Sequence, residues 1–273
     1  MKRILTVQDL SCVGRCSLTV AQPILSAMGI ACSVLPTAVL STHTAFPNPY
    51  IRSLTEDMVR ISRHWQEIGA SFDAILVGYL SDPAQAEAVL EVINTFDCPV
   101  ILDPAMGDQG KLYKGMTQEH VEAMADLASL SEVVLPNVTE ASLLTGVPYQ
   151  QQTDGHYLRM MLEMLCRTKT KTVVITGTGA SDKDTGFAGI QKGEGLFSYR
   201  ADKRKQGIHG TGDMFSAVFA GAYVLGKDPM EAGELAAGFV ERVLDATLEP
   251  TPFGAEFETQ LPWLWRAVSA DNA

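Results

Sequence analysis

Short apolar runs rich in β-branched residues alternate with longer amphipathic stretches along most of this chain, and that rhythm admits few folds. The strand-like runs are Ile4–Gln8, Ser33–Leu40, Ala74–Val77, Val100–Leu102, Val133–Leu135 and Thr172–Thr176. Most lack a polar face, as strands covered on both sides do. Between them, Ser17–Met28, Thr55–Ile68, Pro83–Thr95, Gln118–Leu130, Thr139–Leu144 and His156–Arg167 place apolar residues three and four apart, the spacing of a helix with one buried face. Strand and helix in alternation, joined by right-handed crossovers, predict an α/β fold: a mostly parallel central sheet with helices on both faces. The last third changes rhythm. Gly186–Gln191 and Leu196–Arg200, joined by Lys192-Gly193-Glu194-Gly195, predict an antiparallel hairpin added to the sheet, and helical runs follow over Thr211–Leu225 and from Pro229 to about Thr247. No repeat, low-complexity tract or linker interrupts the 273 residues, so one domain spanning 1–273 is expected.

Charge and cysteine usage narrow the partners. A formal net charge of −11 opposes attraction to nucleic-acid phosphates and anionic lipid surfaces, so neither partner is expected. Cys12, Cys16, Cys32, Cys98 and Cys166 are odd in number and include no CxxC pair, which argues against a disulfide framework and against a zinc site. The apolar start at Ile4 meets Gln8 and Asp9 too soon for an export signal, and no run is long enough to span a bilayer. A soluble, cytoplasmic protein is the expectation.

The most informative segment is His209-Gly210-Thr211-Gly212-Asp213, which leads into an apolar, small-residue helix. Glycines let successive N–H groups turn toward one point, and a helix N-terminus adds positive potential there, so the segment reads as an anion hole. Asp213 in the first turn can be a dipole-stabilising residue. Beside a phosphate-sized cradle it can equally take the proton of an attacking hydroxyl. A P-loop (GxxxxGK[ST]) and a GxGxxG after the first strand are both missing, which disfavours P-loop kinases and nicotinamide dinucleotide folds.

Gly-Thr-Gly-Asp opening a late helix resembles the signature of the ribokinase-like superfamily of small-molecule kinases. Two further segments resemble its vitamin B6 branch, the pyridoxal and pyridoxamine kinases: Asp103-Pro104-Ala105-Met106-Gly107-Asp108 with Lys111-Leu112-Tyr113, and Pro136-Asn137-Val138-Thr139-Glu140-Ala141. Val7-Gln8-Asp9 and Ser41-Thr42-His43-Thr44 are similar to the substrate end of these enzymes, so the likeness covers about residues 2–247.

The resemblance implies a three-layer ribokinase-like fold and ATP- and Mg²⁺-dependent phosphorylation of the 5-hydroxymethyl group of pyridoxal, pyridoxamine or pyridoxine, for pyridoxal 5′-phosphate salvage. Asp213 would be the base, with Gly210, Thr211 and Gly212 cradling the transferred group. Asp103, Asn137 and Glu140 would organise Mg²⁺, mostly through water. Thr176 and Tyr113 would meet the nucleotide, and His43 and Thr44 the substrate ring. Bland alternatives stand beside these roles: a turn for Asp103 and Thr176, a first-turn dipole partner for Glu140, a partly buried surface tyrosine for Tyr113 and a structural hydrogen bond for His43. Lys183, in a glycine-rich Gly177–Gly186 loop, and the basic run Arg200–Lys205 read first as solvated charges, with attraction to ATP as the second reading.

Asp9 departs from the branch, which usually carries serine there. A carboxylate can accept from a substrate hydroxyl or pair with a protonated pyridine nitrogen, and it keeps a hydroxymethylpyrimidine kinase or another small-alcohol kinase open as the alternative. A vitamin-binding protein without catalysis is a further rival. A homodimer follows from the resemblance only, and activation by a monovalent cation stays open. The residues beyond Glu249 have no assigned role.

Overall fold

The computed structural model describes residues 1–204, 208–247, 249 and 251–269. Its framework is a nine-stranded sheet built from β1 (Arg3–Val13), β2 (Ala31–Thr42), β3 (Ile51–Ser53), β4 (Ala74–Val77), β5 (Val100–Leu102), β8 (Val133–Val134), β9 (Thr172–Thr176), β10 (Asp184–Gln191) and β11 (Gly195–Asp202). A separate two-stranded ribbon is formed by β6 (Gly107–Asp108) and β7 (Lys111–Leu112). The order across the large sheet is β11-β10-β9-β8-β5-β4-β1-β2-β3. Strands β9 through β2 in that order are parallel, and antiparallel pairs extend both edges, β9–β10–β11 on one side and β2–β3 on the other.

The period of two along each strand assigns residues to the two faces. Ile4, Leu76, Ile101 and Val133 pack with α1 (Leu18–Ala27), α7 (Thr211–Val224), α8 (Pro229–Ala246) and α9 (Leu261–Ser269). Leu5, Val77, Leu102 and Val134 pack on the other face against α2 (Thr55–Glu67), α3 (Gln85–Phe96) and α4 (Gln118–Leu130). On that side too, α5 (Val138–Thr145) and α6 (Gly155–Leu165) cover Val173, Ile175 and Ala188. Three layers result, with helices on both faces as expected.

Helix α7 is buried from Met214 to Ala222, so it is apolar all round instead of on one stripe. Its small residues permit close approach: a Cβ on Gly221 would lie 2.6 Å from Met28 Sδ.

Several boundaries differ from the sequence expectation. Both β1 and β2 run past the apolar core of their runs because each continues to pair after the buried stretch ends, through a register shift where β2 gains one residue between Pro36 and Val39. Strand β10 begins at Asp184, so the supposed loop Gly177–Gly186 is shorter than read. It is also braced, since the Asp184 carboxylate accepts from the N–H groups of Ser181 at 2.8 Å and Ala180 at 3.0 Å. The C-terminal residues form the short turn of 3-10 helix Glu258–Gln260 and then α9, packed on the α1 and α8 side. Among the described residues, no helix is long and apolar enough to cross a membrane.

Candidate active site

Chain direction decides where a site can form. The crossover after β1 carries α1 to one face, whereas those after β2 and β4 carry α2 and α3 to the other, which leaves a crevice beyond the strand ends between β1 and β4. A cavity of about 350 Å³ lies there. The twelve residues to which the resemblance assigns a site role line it: Asp9, His43, Thr44, Asp103, Tyr113, Asn137, Glu140, Thr176, Gly210, Thr211, Gly212 and Asp213.

Gly210 caps α7 with φ 87° and ψ −4°, a left-handed conformation that a residue with a Cβ adopts at a cost. A Cβ there would also lie 2.2 Å from the Arg15 carbonyl oxygen, so glycine is required on two counts. Beyond it the first-turn N–H groups have no helical partner and open on the cavity, which is the anion-binding arrangement. Asp213 sits in this turn, half-buried and facing the cavity. Enclosure by protein, then the carboxylates of Asp103 and Asp9, push its carboxyl up to about 8, opposed by a hydrogen bond from the Ser17 N–H.

Asp103 ends β5, with its own N–H donating to the Val77 carbonyl at 2.9 Å. Its carboxylate accepts from the Ser216 hydroxyl, and burial still raises it to about 6. Glu140 is held well above the usual carboxylate range by burial and then by Asp103. Its oxygens accept from the N–H groups of Asn137 at 2.8 Å and Met106 at 3.1 Å. Asn137 completes a capping box by accepting from the Glu140 N–H at 3.0 Å, and its amide nitrogen donates to the Gly107 carbonyl at 2.8 Å. Both ends of the Asn137 amide are therefore engaged, and the side chain acts as a tie between the start of α5 and the segment after β5. The Gly110 N–H donates to Thr139 Oγ1 at 2.9 Å, a further tie to the same segment.

That segment is an ordered ribbon. Gln109 and Gly110 both have positive φ, 51° and 77°, as a two-residue hairpin turn demands. Tyr113 follows it at the cavity wall, as does Lys114. Thr176 closes β9 and bridges to Asn137.

At the other end, Asp9 is 3% exposed and accepts from Ser11 Oγ at 2.9 Å. Burial raises its carboxyl, against hydrogen bonds from Ser17 and Ser11. His43 donates from Nε2 to the Pro252 carbonyl at 2.8 Å, and its ring lies in tilted contact with those of His209 and Phe46, with centroids 4.5 and 4.8 Å away. One ring nitrogen is thus spent structurally and the imidazole is fixed in place.

Three features were not read from the sequence. Ser216 lies three residues after Asp213, one helical turn on, and that periodicity was a usable signal. Ser17 and the Pro252–Ala255 segment gave none: the latter reaches the site only because the Phe253 carbonyl accepts from Arg15 N–H at 2.7 Å and the Ala255 N–H donates to the His209 carbonyl at 3.2 Å. The basic candidates lie apart from the cavity. Lys183 is exposed, Arg200 pairs with Asp184 at 3.4 Å, and Arg204 pairs with Glu241 and Asp245 at 3.0 and 2.8 Å. Lys205 lies outside the described residues. All five cysteines are free, and Cys16 stands in the cavity wall.

Among the described residues, no three His, Cys, Asp or Glu side chains converge as a metal cage. Asp103 and Glu140 are nonetheless two buried acids, and the Asp103 carboxylate adds to burial in raising the proton affinity of Glu140, so a divalent cation opposite them fits the donor set. Few, hard oxygen ligands suit Mg²⁺, which keeps most of its waters.

A nine-stranded α/β sheet with an anion loop, a first-turn carboxylate and two further acids in one crevice defines a small-molecule kinase of the ribokinase-like superfamily. A family model described as phosphomethylpyrimidine kinase matches residues 25–256, and the chain belongs to that family. A Bacteroides thetaiotaomicron structure, a candidate phosphomethylpyrimidine kinase crystallised with pyridoxal, is 32% identical, with TM-score 0.91 over 98% of this chain and 96% of that one. Pyridoxal kinase from Lactobacillus plantarum is 30% identical, with TM-score 0.89 over 100% and 98%. Pyridoxal kinase from Arabidopsis thaliana is 31% identical over 187 residues; the match takes in 64% of this chain and spans 59% of that protein.

Proposed function

We propose that this protein transfers the γ-phosphoryl group of ATP to the 5-hydroxymethyl group of a B6 vitamer: pyridoxal, pyridoxamine or pyridoxine. The observation that carries the reading is one cavity in which Asp213 and the Gly210–Gly212 amides lie between two acids on the β5 and α5 side and Asp9 with His43 on the β1 and β2 side. Relatives that bear the name pyridoxal kinase, and the Bacteroides structure holding pyridoxal, support the substrate class.

In this reading Asp9 and His43 hold the ring so that the alcohol oxygen faces Asp213. A carboxyl raised to about 8 is a strong proton acceptor once ionised, and in that form Asp213 takes the hydroxyl proton as the oxygen attacks phosphorus. The amides of Gly210, Thr211 and Gly212 meet the charge that grows on the transferred group. Thr176 and Tyr113 line the nucleotide side. Asp103 and Glu140 would hold Mg²⁺ through its waters, with Asn137 fixing Glu140; when bound, the ion offsets the phosphate charge that these acids would otherwise repel. The chain acts as one domain over 1–273, in a cytoplasmic homodimer, which suits five free thiols and the exposed Tyr50 and Ile51 at the sheet edge.

The family description and Asp9 both favour keeping hydroxymethylpyrimidine as the second substrate to test. Purified protein with ATP and Mg²⁺ should release ADP only when a B6 vitamer is added, and Asp213→Asn should lower turnover by on the order of 10² or more. Turnover on the pyrimidine alcohol but not on any vitamer would transfer the assignment; full activity in Asp213→Asn would remove the proposed base.

A further inference from the structure

Binding a nucleotide takes positive charge, and the cavity has little of its own. Five carboxyl groups line it, those of Asp9, Asp103, Asp108, Glu140 and Asp213, and a Mg²⁺ ion would offset only part of the charge of a bound triphosphate. Among the described residues, Lys114 is the one lysine or arginine on the cavity wall. Its side chain is exposed and makes no ion pair or hydrogen bond with the rest of the described chain. The backbone beneath it is braced. Tyr113, the residue before, donates its N–H to the Met106 carbonyl at 2.9 Å, and the Met106 N–H donates to the Glu140 carboxylate at 3.1 Å. Lys114 and Gly115 then turn the chain: the Met116 N–H donates to the Tyr113 carbonyl at 3.1 Å, and Gly115 has φ 91°. Tyr149 lies over the ribbon so closely that a Cβ on Gly110 would stand 2.7 Å from its ring. Only the lysine stem is left to order when a ligand arrives.

We propose that Lys114 is a nucleotide-binding residue whose ammonium pairs with the phosphate chain of ATP on the β5 and α5 side of the cavity. The proposal deepens the kinase reading and rests on it. A phosphorylated product offers the same chemistry, a phosphate dianion. The nucleotide is favoured because the ribbon that carries Lys114 is tied to the start of α5, through Asn137, Thr139 and Glu140, whereas Asp9 and His43 belong to β1 and to the end of β2. A cation placed there complements Asp103 and Glu140, which would hold the ion but repel the phosphates.

Titration with adenylyl imidodiphosphate, a non-hydrolysable ATP analogue, in the presence of Mg²⁺ reads the contact without turnover. Lys114→Met keeps most of the stem and removes the charge, so the dissociation constant should rise about tenfold, as for loss of a charge-assisted hydrogen bond. Lys114→Arg keeps the charge and should stay within about threefold of wild type. Lys111→Met, on the same ribbon but off the cavity wall, should stay within about twofold. Added salt should weaken binding less in Lys114→Met than in wild type, because one screened pair is gone. In steady state the KM for ATP should rise by about the same factor in Lys114→Met, with the KM for pyridoxal within about twofold. Unchanged analogue affinity in Lys114→Met, or an equal loss in Lys111→Met, would overturn the proposal. So would a loss confined to pyridoxine 5′-phosphate, which presents a phosphate and no nucleotide. Should the wild type bind the analogue yet phosphorylate no vitamer, the substrate reading fails separately and the titration still decides Lys114; a wild type that binds no nucleotide overturns both.

Discussion

Replacing Gly210 with alanine strikes the anion loop where it is tightest. At φ 87° an L residue carries a penalty of about 1–2 kcal/mol. The added methyl would stand 2.2 Å from the Arg15 carbonyl oxygen, far inside ordinary contact distance. Arg15 has little room to yield. Its N–H is bonded to the Phe253 carbonyl at 2.7 Å, its guanidinium meets Glu258 at 2.7 Å, and a Cβ on Gly254 would lie only 2.8 Å from the same oxygen. The loop itself must therefore move, by roughly 1 Å, which adds about 1–3 kcal/mol of overpacking strain.

Together these effects give about 3 kcal/mol and a Tm lower by roughly 6–12 °C. Displaced amides no longer point at the transferring group, and losing one such donor costs on the order of 10²–10³ in kcat. Coupled detection of ADP under saturating ATP and pyridoxal, with a thermal melt of the same preparation, reads both quantities. A variant with kcat within about threefold of wild type and an unshifted Tm would show that this bend does not hold the phosphoryl group.

Asp213→Asn carries a second signature, in stability. The folded chain holds the Asp213 carboxyl at about 8 against an ordinary 3.8, so the native state binds this proton more tightly and wild-type stability falls as pH rises from about 4 through 8. The variant should melt above wild type at pH 9 and match it near pH 4, and a constant difference in melting across that range would contradict the argument. For the same reason wild-type kcat/KM should climb with pH through a midpoint near 8, whereas the residual rate of the variant stays flat. Asn137→Ala removes the α5 cap and the tie to Gly107, so about 1–2 kcal/mol of stability and a raised KM for ATP are expected in urea titration and steady-state kinetics. Glu140→Gln keeps the shape but halves the paired negative charge; the Mg²⁺ concentration for half-maximal rate should rise several-fold with the pyridoxal KM unmoved, and an unchanged Mg²⁺ titration would release Glu140 from that role.

Strands buried along all or nearly all of their length were legible from residue type alone. Ala74–Val77, Val100–Leu102 and Thr172–Thr176 occur with the bounds expected, since an unbroken apolar run in the central strands leaves no other place for them. The edge strand β3 was not, because its three residues are all exposed and make no pattern. The ribbon β6–β7 has two residues per strand, too few for any period to register. At the site, glycine and carboxylate in a fixed order announced the anion loop, and Thr139-Glu140 announced a helix start, whereas the capping role of Asn137 emerged only in the fold. Ser17 did not stand out, because serine before a helix ordinarily means a cap and only the backbone angles show that it is something else.

By itself, then, the amino-acid order determined the layered α/β architecture and the chemistry of the loop before α7, both of which depend on neighbours close along the chain. Only the tertiary structure decided which distant groups meet. It brought Asp9, Asp103 and Asp213 to one crevice, spent the Asn137 amide on packing, and laid the Pro252–Ala255 segment over Arg15 and His43. The physical reason is that a carboxyl's proton affinity and a glycine's necessity are set by what lies within a few ångströms, and those neighbours come from strands and loops far apart in the sequence.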